Sequence, residues 1–183
     1  MLDSTQHDFI TTLLDRNLLT TPFRVQTKWH VITGAICCGK TTLIDMLAEK
    51  GFQTLPETSR EYIEKEVAMG RELDEIFGSA ADERALTEMQ RKAEDGLRAN
   101  EVVFLDRALP GYLWFWRLLG LDPNELLAKC FHYHYASVFI LDQLPLQLDG
   151  ARIDDDAYTD LLDEWLMRDY SALGYRVVRV QAF

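Results

Sequence analysis

Gly34-Ala35-Ile36-Cys37-Cys38-Gly39-Lys40-Thr41 matches the phosphate-binding pattern G-x-x-x-x-G-K-[ST] without a gap. Its glycines let the backbone wrap closely, so that successive amide N–H groups turn toward one phosphate chain. Lys40 would reach the terminal phosphates, and the Thr41 hydroxyl is a hard oxygen donor suited to magnesium. Thr42 follows at the start of a helix, whose positive dipole end adds to the attraction. From average residue usage, a chance match in a chain of 183 residues has odds of about one in a hundred. The flanks lower those odds. Trp29 to Thr33 is a short apolar run that reads as a buried strand, and Leu43, Ile44 and Leu47 recur at helical spacing up to Gly51. Residues 34 to 42 therefore read as a nucleotide site.

The same alternation continues along the chain. Phe52 to Leu55, Val102 to Leu105, Val138 to Leu141 and Arg176 to Val180 read as further strands. Between them, helices are expected over 59–69, 83–99, 112–119, from Asp122-Pro123 onward, and over 158–173. The fold class is α/β: a three-layer nucleotide-binding fold with a five-stranded parallel sheet covered by helices on both faces. In such sheets the carboxyl ends of the strands line the ligand crevice. The second strand runs into Pro56-Glu57-Thr58-Ser59-Arg60, and the third ends in Asp106-Arg107. Asp106 is placed to hold magnesium beside Thr41, and Arg107 to clamp a phosphate with its planar fork. Glu57 is the candidate base for a substrate hydroxyl, with Arg60 one turn on for a substrate anion.

Taken together, the phosphate loop, P-E-x-x-R after the second strand and D-R after the third resemble the small nucleoside and nucleotide kinases. More closely, the chain resembles the short P-loop proteins catalogued as AAA-type ATPase or kinase domains, related to ribosylnicotinamide kinases. The matching stretches are Gly34 to Thr42, Pro56 to Arg60, Leu105 to Pro110, and Tyr170-Ser171-Ala172-Leu173-Gly174-Tyr175. They span residues 29 to 181, with 1–22 as a helical extension. The family's usual small residue before G-K is replaced here by Cys38. The resemblance implies an adenylate-kinase-like fold and arginines in a lid before the last helix. Arg152 is the sole basic residue of the loop 142–156 that would serve as that lid.

Composition sets the outer limits. Apolar residues make up 48% and charged residues 27%, which suits one globular domain over 1–183. Thirty Asp and Glu against 19 Lys and Arg give a formal charge of -11. That surface repels polyanions, so nucleic acid is not an expected partner. No apolar run is long enough to span a bilayer, and Met1-Leu2-Asp3-Ser4 lacks a basic leader start, so a cytoplasmic location is expected. Homo-oligomerisation stays open. Three cysteines cannot form a disulfide framework. The loop amides, the helix dipole and Lys40 lead us to expect a lowered pKa at Cys37 or Cys38, against the alternative that both pack inward.

Several other features have structural readings. Residues 3–19 carry Phe9, Ile10, Leu13, Leu14 and Leu18 at helical spacing. Asp154-Asp155-Asp156 suits a helix start, Cys130, His132 and His134 are read as structural, and Tyr112, Trp114, Phe115 and Trp116 as mostly core. The functional expectation is a magnesium- and NTP-dependent phosphotransferase, with ATP or GTP as donor and a small nucleoside-, nucleotide- or vitamin-like acceptor. The alternative is an NTP-hydrolysing switch coupled to a partner protein. Against a GTP switch, the sequence has no N-K-x-D, and no D-x-x-G follows the loop.

Overall fold

The computed structural model describes residues 13–35, 38–143 and 156–181. Five strands form a parallel sheet in the order β3-β4-β2-β6-β7: β2 (Lys28–Gly34), β3 (Gln53–Leu55), β4 (Val102–Asp106), β6 (Ser137–Leu141) and β7 (Val177–Val180). The chain leaves β2 toward β3 and β4 on one side, and later returns to β6 on the other. The change of direction opens a crevice at the carboxyl end of β2.

Successive strand residues face opposite sides of a sheet, and the two faces have different cores. Trp29, Val31, Val103, Leu105, Val138 and Ile140 join one large cluster with Leu113, Leu126 and Leu162. Those partners come from α5 (Leu113–Leu118), α6 (Pro123–Cys130) and α7 (Asp156–Ala172). On the opposite face Ile32 and Leu141 meet Ile44, with Leu43, Leu47 and Phe104 around them. Those leucines and Ile44 belong to α1 (Lys40–Glu49), the helix that follows the phosphate loop. Helix α1 thus packs on the sheet directly below the strand end it caps. Sheet order, parallel pairing and two covered faces agree with the expected fold class.

Element boundaries moved where caps decide them. Helix α4 runs over Ala80–Asp95 rather than 83–99, because the Ser79 hydroxyl accepts from the Asp82 amide at 3.2 Å and caps it early. Asp122 caps α6 in the expected way, accepting from the Asn124 amide. The aromatic segment is a 3₁₀ turn, Leu109–Tyr112, followed by α5. Helix α2 spans Ser59–Ala68, and a short helix α3, Leu73–Phe77, was not expected from the sequence. Nor was the two-residue pairing of β1 (Val25–Gln26) with β5 (Tyr133–His134). Within the expected helix 3–19, residues 13–17 are not helical, and only Leu18–Thr20 makes a 3₁₀ turn. Side chains take the backbone donors instead: Asp15 accepts from the Asn17 amide at 2.8 Å, and Asn124 from the Asp15 amide at 2.7 Å. The remainder of that segment lies outside the described residues.

One buried ion pair ties α5 to α7. Arg117 makes a bidentate contact to Asp169 at 2.6 and 2.8 Å, stacked over Trp165, with both side chains almost wholly buried. Removing one member strands the other charge in the core. Arg117→Ala should therefore cost about 3–5 kcal/mol in urea denaturation. A loss under about 1 kcal/mol would mean the pair is not desolvated as described.

Candidate active site

The phosphate loop leaves β2 at Gly34, whose φ of 146° and close quarters admit no side chain. A Cβ there would lie 2.8 Å from the Leu141 carbonyl oxygen and 2.8 Å from Cys38 Sγ. Gly39, at φ 84°, turns the chain into α1. Lys40, 8% exposed, donates from Nζ to the carbonyls of Ala35 at 2.7 Å and Gly34 at 3.2 Å. Its ammonium is thus held inside the curve of its own loop. Thr41 is half-buried and donates to Asp106 Oδ2 at 3.4 Å, while Thr42 is exposed. Ile36 and Cys37 lie outside the described residues, as does Arg152 with the rest of 144–155. Cys38 corrects the thiolate expectation at its own position. It is buried, and burial pushes its thiol up despite Lys40 at 3.6 Å.

Asp106 ends β4, and pairing with β2 puts it opposite Ile32, two residues before Gly34. It is 2% exposed, and its Oδ1 is buried with no hydrogen-bond partner. Burial, with Glu57 added, raises its pKa, while Lys40 and Arg107 pull the other way. A buried carboxylate with one unpartnered oxygen and a threonine hydroxyl alongside is a hard-oxygen donor set that fits magnesium.

Arg107 is the sole non-glycine with positive φ among the described residues, at 71°. Two backbone contacts secure this conformation: its amide donates to the Ile32 carbonyl at 2.9 Å, and Gln90 Nε2 approaches its own carbonyl at 3.5 Å. Its guanidinium lies 3.8 Å from Glu57, and 5.8 and 5.1 Å from the ring centroids of Tyr112 and Phe115. Gly111 leaves room for its stem, since a Cβ there would meet Arg107 Cγ at 2.8 Å. Burial opposes the charge, yet Glu57, Tyr112 and Asp106 together raise the Arg107 pKa. Glu57, Asp106, Arg107, Lys40 and Thr41 therefore meet at one end of the sheet. Arg60 is exposed on the first turn of α2.

The aromatic run is mostly core as expected: Tyr112, Trp114 and Trp116 are buried, and the half-buried Phe115 has its ring centroid 5.1 Å from the Arg107 guanidinium. His134 stacks on Tyr175 at 5.1 Å, and Cys130 is buried at the end of α6. Sequence reading missed the buried polar row of α4. Glu83, Thr87, Gln90 and Glu94 are all under 7% exposed and recur at helical spacing, four, three and four residues apart. That spacing was visible, but an E-T-Q-E row looks like a solvated face until the helix is docked. Glu94 accepts from the Leu109 amide, Gln90 and the Tyr135 hydroxyl, and burial lifts it to about 7. Glu83 keeps an unpartnered Oε1, and burial lifts it to about 8 although Arg107 pulls it down.

Fold and phosphate loop together define a P-loop α/β domain of the kinase-like kind. The chain belongs to a family described as an AAA domain, whose sequence model matches residues 29–182. No curated protein matches it significantly. Among solved structures it is similar to NadR protein in complex with NR, at 25% identity and a TM-score of 0.61, over 84% of this chain and 45% of that one. NadR in complex with NAD and AMP-PNP is similar at 23% identity and a TM-score of 0.62, over 85% and 45%. Thymidylate kinase from Ehrlichia chaffeensis shares the fold at 14% identity and a TM-score of 0.59, over 86% and 92%. The chain thus spans less than half the length of the NadR chains.

Glu83 makes a pH test available. Its pKa rises from an ordinary 4.5 to about 8 on folding, so the native state holds a proton that the unfolded chain releases. Its contribution favours folding below about pH 4.5 and is progressively lost as pH rises toward about 8. Urea midpoints should fall over that range, and Glu83→Gln should flatten the fall. An equally steep decline in the variant would remove Glu83 as its source.

Proposed function

We propose that the protein is a magnesium- and NTP-dependent phosphotransferase acting on a small nucleoside-, nucleotide- or vitamin-like acceptor. The observation that carries this reading is Glu57, 3.8 Å from Arg107 and close enough to Asp106 to raise its pKa. Holding a nucleotide requires no such carboxylate; taking a proton from an acceptor hydroxyl does. The NadR structure at 25% identity contains NR, which supports a nucleoside-like acceptor.

In this reading the amides of residues 34 to 42 cradle the phosphates of ATP or GTP. Lys40 exchanges the Gly34 and Ala35 carbonyls for phosphate oxygens, placing its charge where negative charge develops. Thr41 and Asp106 hold magnesium, which when bound neutralises phosphate charge. Glu57 accepts the acceptor's hydroxyl proton. Arg107, fixed by its backbone contacts, faces the phosphoryl group with little reorganisation. Arg60 and, from the lid, Arg152 complete the set of anion-binding groups. Cytoplasmic location and a single domain over 1–183 remain part of this proposal; no described helix is long and apolar enough to cross a membrane.

Screening nucleosides, vitamins and sugars for acceptor-dependent ADP or GDP release tests the reaction class. Release that never depends on an acceptor would favour the hydrolytic alternative. Lys40→Ala should abolish turnover and weaken nucleotide binding with the fold intact; unchanged ATP and GTP affinity by calorimetry would defeat the loop assignment. Glu57→Gln should lower turnover by about two to four orders of magnitude with nucleotide affinity retained. Equal rates in variant and wild type would exclude Glu57 as the base.

A further inference from the structure

Away from the phosphate loop, a cavity of about 540 Å³ opens among the last turns of α4 and α6, strand β5 and Leu109. Its volume lies within the range of small-molecule sites. No described phosphate-loop residue lines it. Its charges are unevenly matched. Glu94 accepts three hydrogen bonds, all from neutral donors, and Asp95 is held by Arg91 and the Tyr133 hydroxyl. Arg24 and Lys129 also line it, both exposed and without an ion pair among the described residues. In a chain of net charge -11, three cations, Arg24, Arg91 and Lys129, against two acids, Glu94 and Asp95, leave this lining one positive charge in excess. That excess, with the planar fork of Arg24 and the Lys129 ammonium, suits a phosphate monoester over an uncharged ligand.

The cavity also reaches the groups beside the phosphate loop. Glu94 holds the Leu109 amide, two residues beyond Arg107. Its second donor, Gln90 Nε2, approaches the Arg107 carbonyl at 3.5 Å. The other end of the same amide, Gln90 Oε1, accepts from the Thr58 hydroxyl at 2.9 Å, next to Glu57. A ligand whose phosphate sits at Arg24 and Lys129 and whose uncharged part reaches Glu94 therefore acts on hydrogen bonds that hold both sides of the candidate active site. We propose that this cavity is a second ligand site, for a phosphate monoester of sugar or nucleoside size, whose occupancy is transmitted through Glu94 and Gln90 to Arg107 and Thr58.

The test is an amide chemical-shift titration of the isotope-labelled full chain with ribose phosphate, and with ribose as the uncharged control. It measures no turnover, so failure of the phosphotransferase reading would leave its outcome intact. Saturable shifts at Lys129 and Tyr133, extending to Leu109, Arg107 and Thr58, are expected with ribose phosphate alone. In Arg24→Ala/Lys129→Ala, both exposed positions, the dissociation constant should rise by about tenfold or more. In Lys40→Ala it should stay unchanged, because the phosphate loop is a different site. Non-saturating shifts, equal shifts with ribose, or unchanged affinity in the double variant would overturn the site. Saturation at the cavity with no shift at Arg107 or Thr58 would overturn the transmission.

Discussion

The hydrogen bond from the Arg107 amide to the Ile32 carbonyl, at 2.9 Å, carries the β2–β4 ladder one residue past Asp106. This pairing sets everything at the mouth of the site. Ile32 opposite Asp106 brings the carboxylate level with the start of the phosphate loop, and Thr41 comes within 3.4 Å of it across the crevice. On the other flank Gly34 pairs with Leu141, close enough that only a residue without a side chain fits. A register slip of one residue would turn Asp106 to the opposite face of the sheet and Leu105 into the site. Such a slip is costly, because it would take the buried Val103 and Leu105 out of the cluster that they fill.

Charge at this end of the sheet is crowded in a way that burial controls. Three carboxyls, Glu57, Glu83 and Asp106, act on Arg107, and two of them have raised pKa values because water is excluded. Burial alone would leave an arginine there costly. Its neighbours offset that cost, and the Tyr112 and Phe115 rings lie within cation–π range of the guanidinium. The left-handed backbone of Arg107 belongs to the same arrangement, since it is secured from below by Ile32 and from the side by Gln90. Strain at a single residue is tolerated where its surroundings over-determine it.

Helix α4 shows how far sequence patterns reach. Leu86 lies on an apolar stripe that the sequence displays plainly. The polar row at Glu83, Thr87, Gln90 and Glu94 is buried as well: Thr87, Gln90 and Glu94 meet Leu109, Tyr135, Trp116 and Thr58 from other elements, while Glu83 keeps an unpartnered oxygen. Nothing local to the helix announces those partners. At the N-terminal side the opposite happened: helical spacing of leucines at 14 and 18 served an irregular segment that packs on the core while Asp15 and Asn124 take its backbone amides. Periodicity reports which residues are buried more faithfully than which backbone they ride on.

By itself the sequence determined the strand–loop–helix at Gly34 to Thr41, the parallel α/β class and the candidates Glu57, Asp106 and Arg107. Those signals are local: glycine positions, apolar runs, and charged residues at strand ends. Only the tertiary structure decided that Asp106 keeps an unpartnered oxygen, that Cys38 packs inward, and that Glu83 is a buried acid within electrostatic reach of Arg107 while Arg60 is exposed. Burial, register and pKa depend on what distant segments bring to the same place, and β2 must pair with a strand some seventy residues away before any of them takes a value.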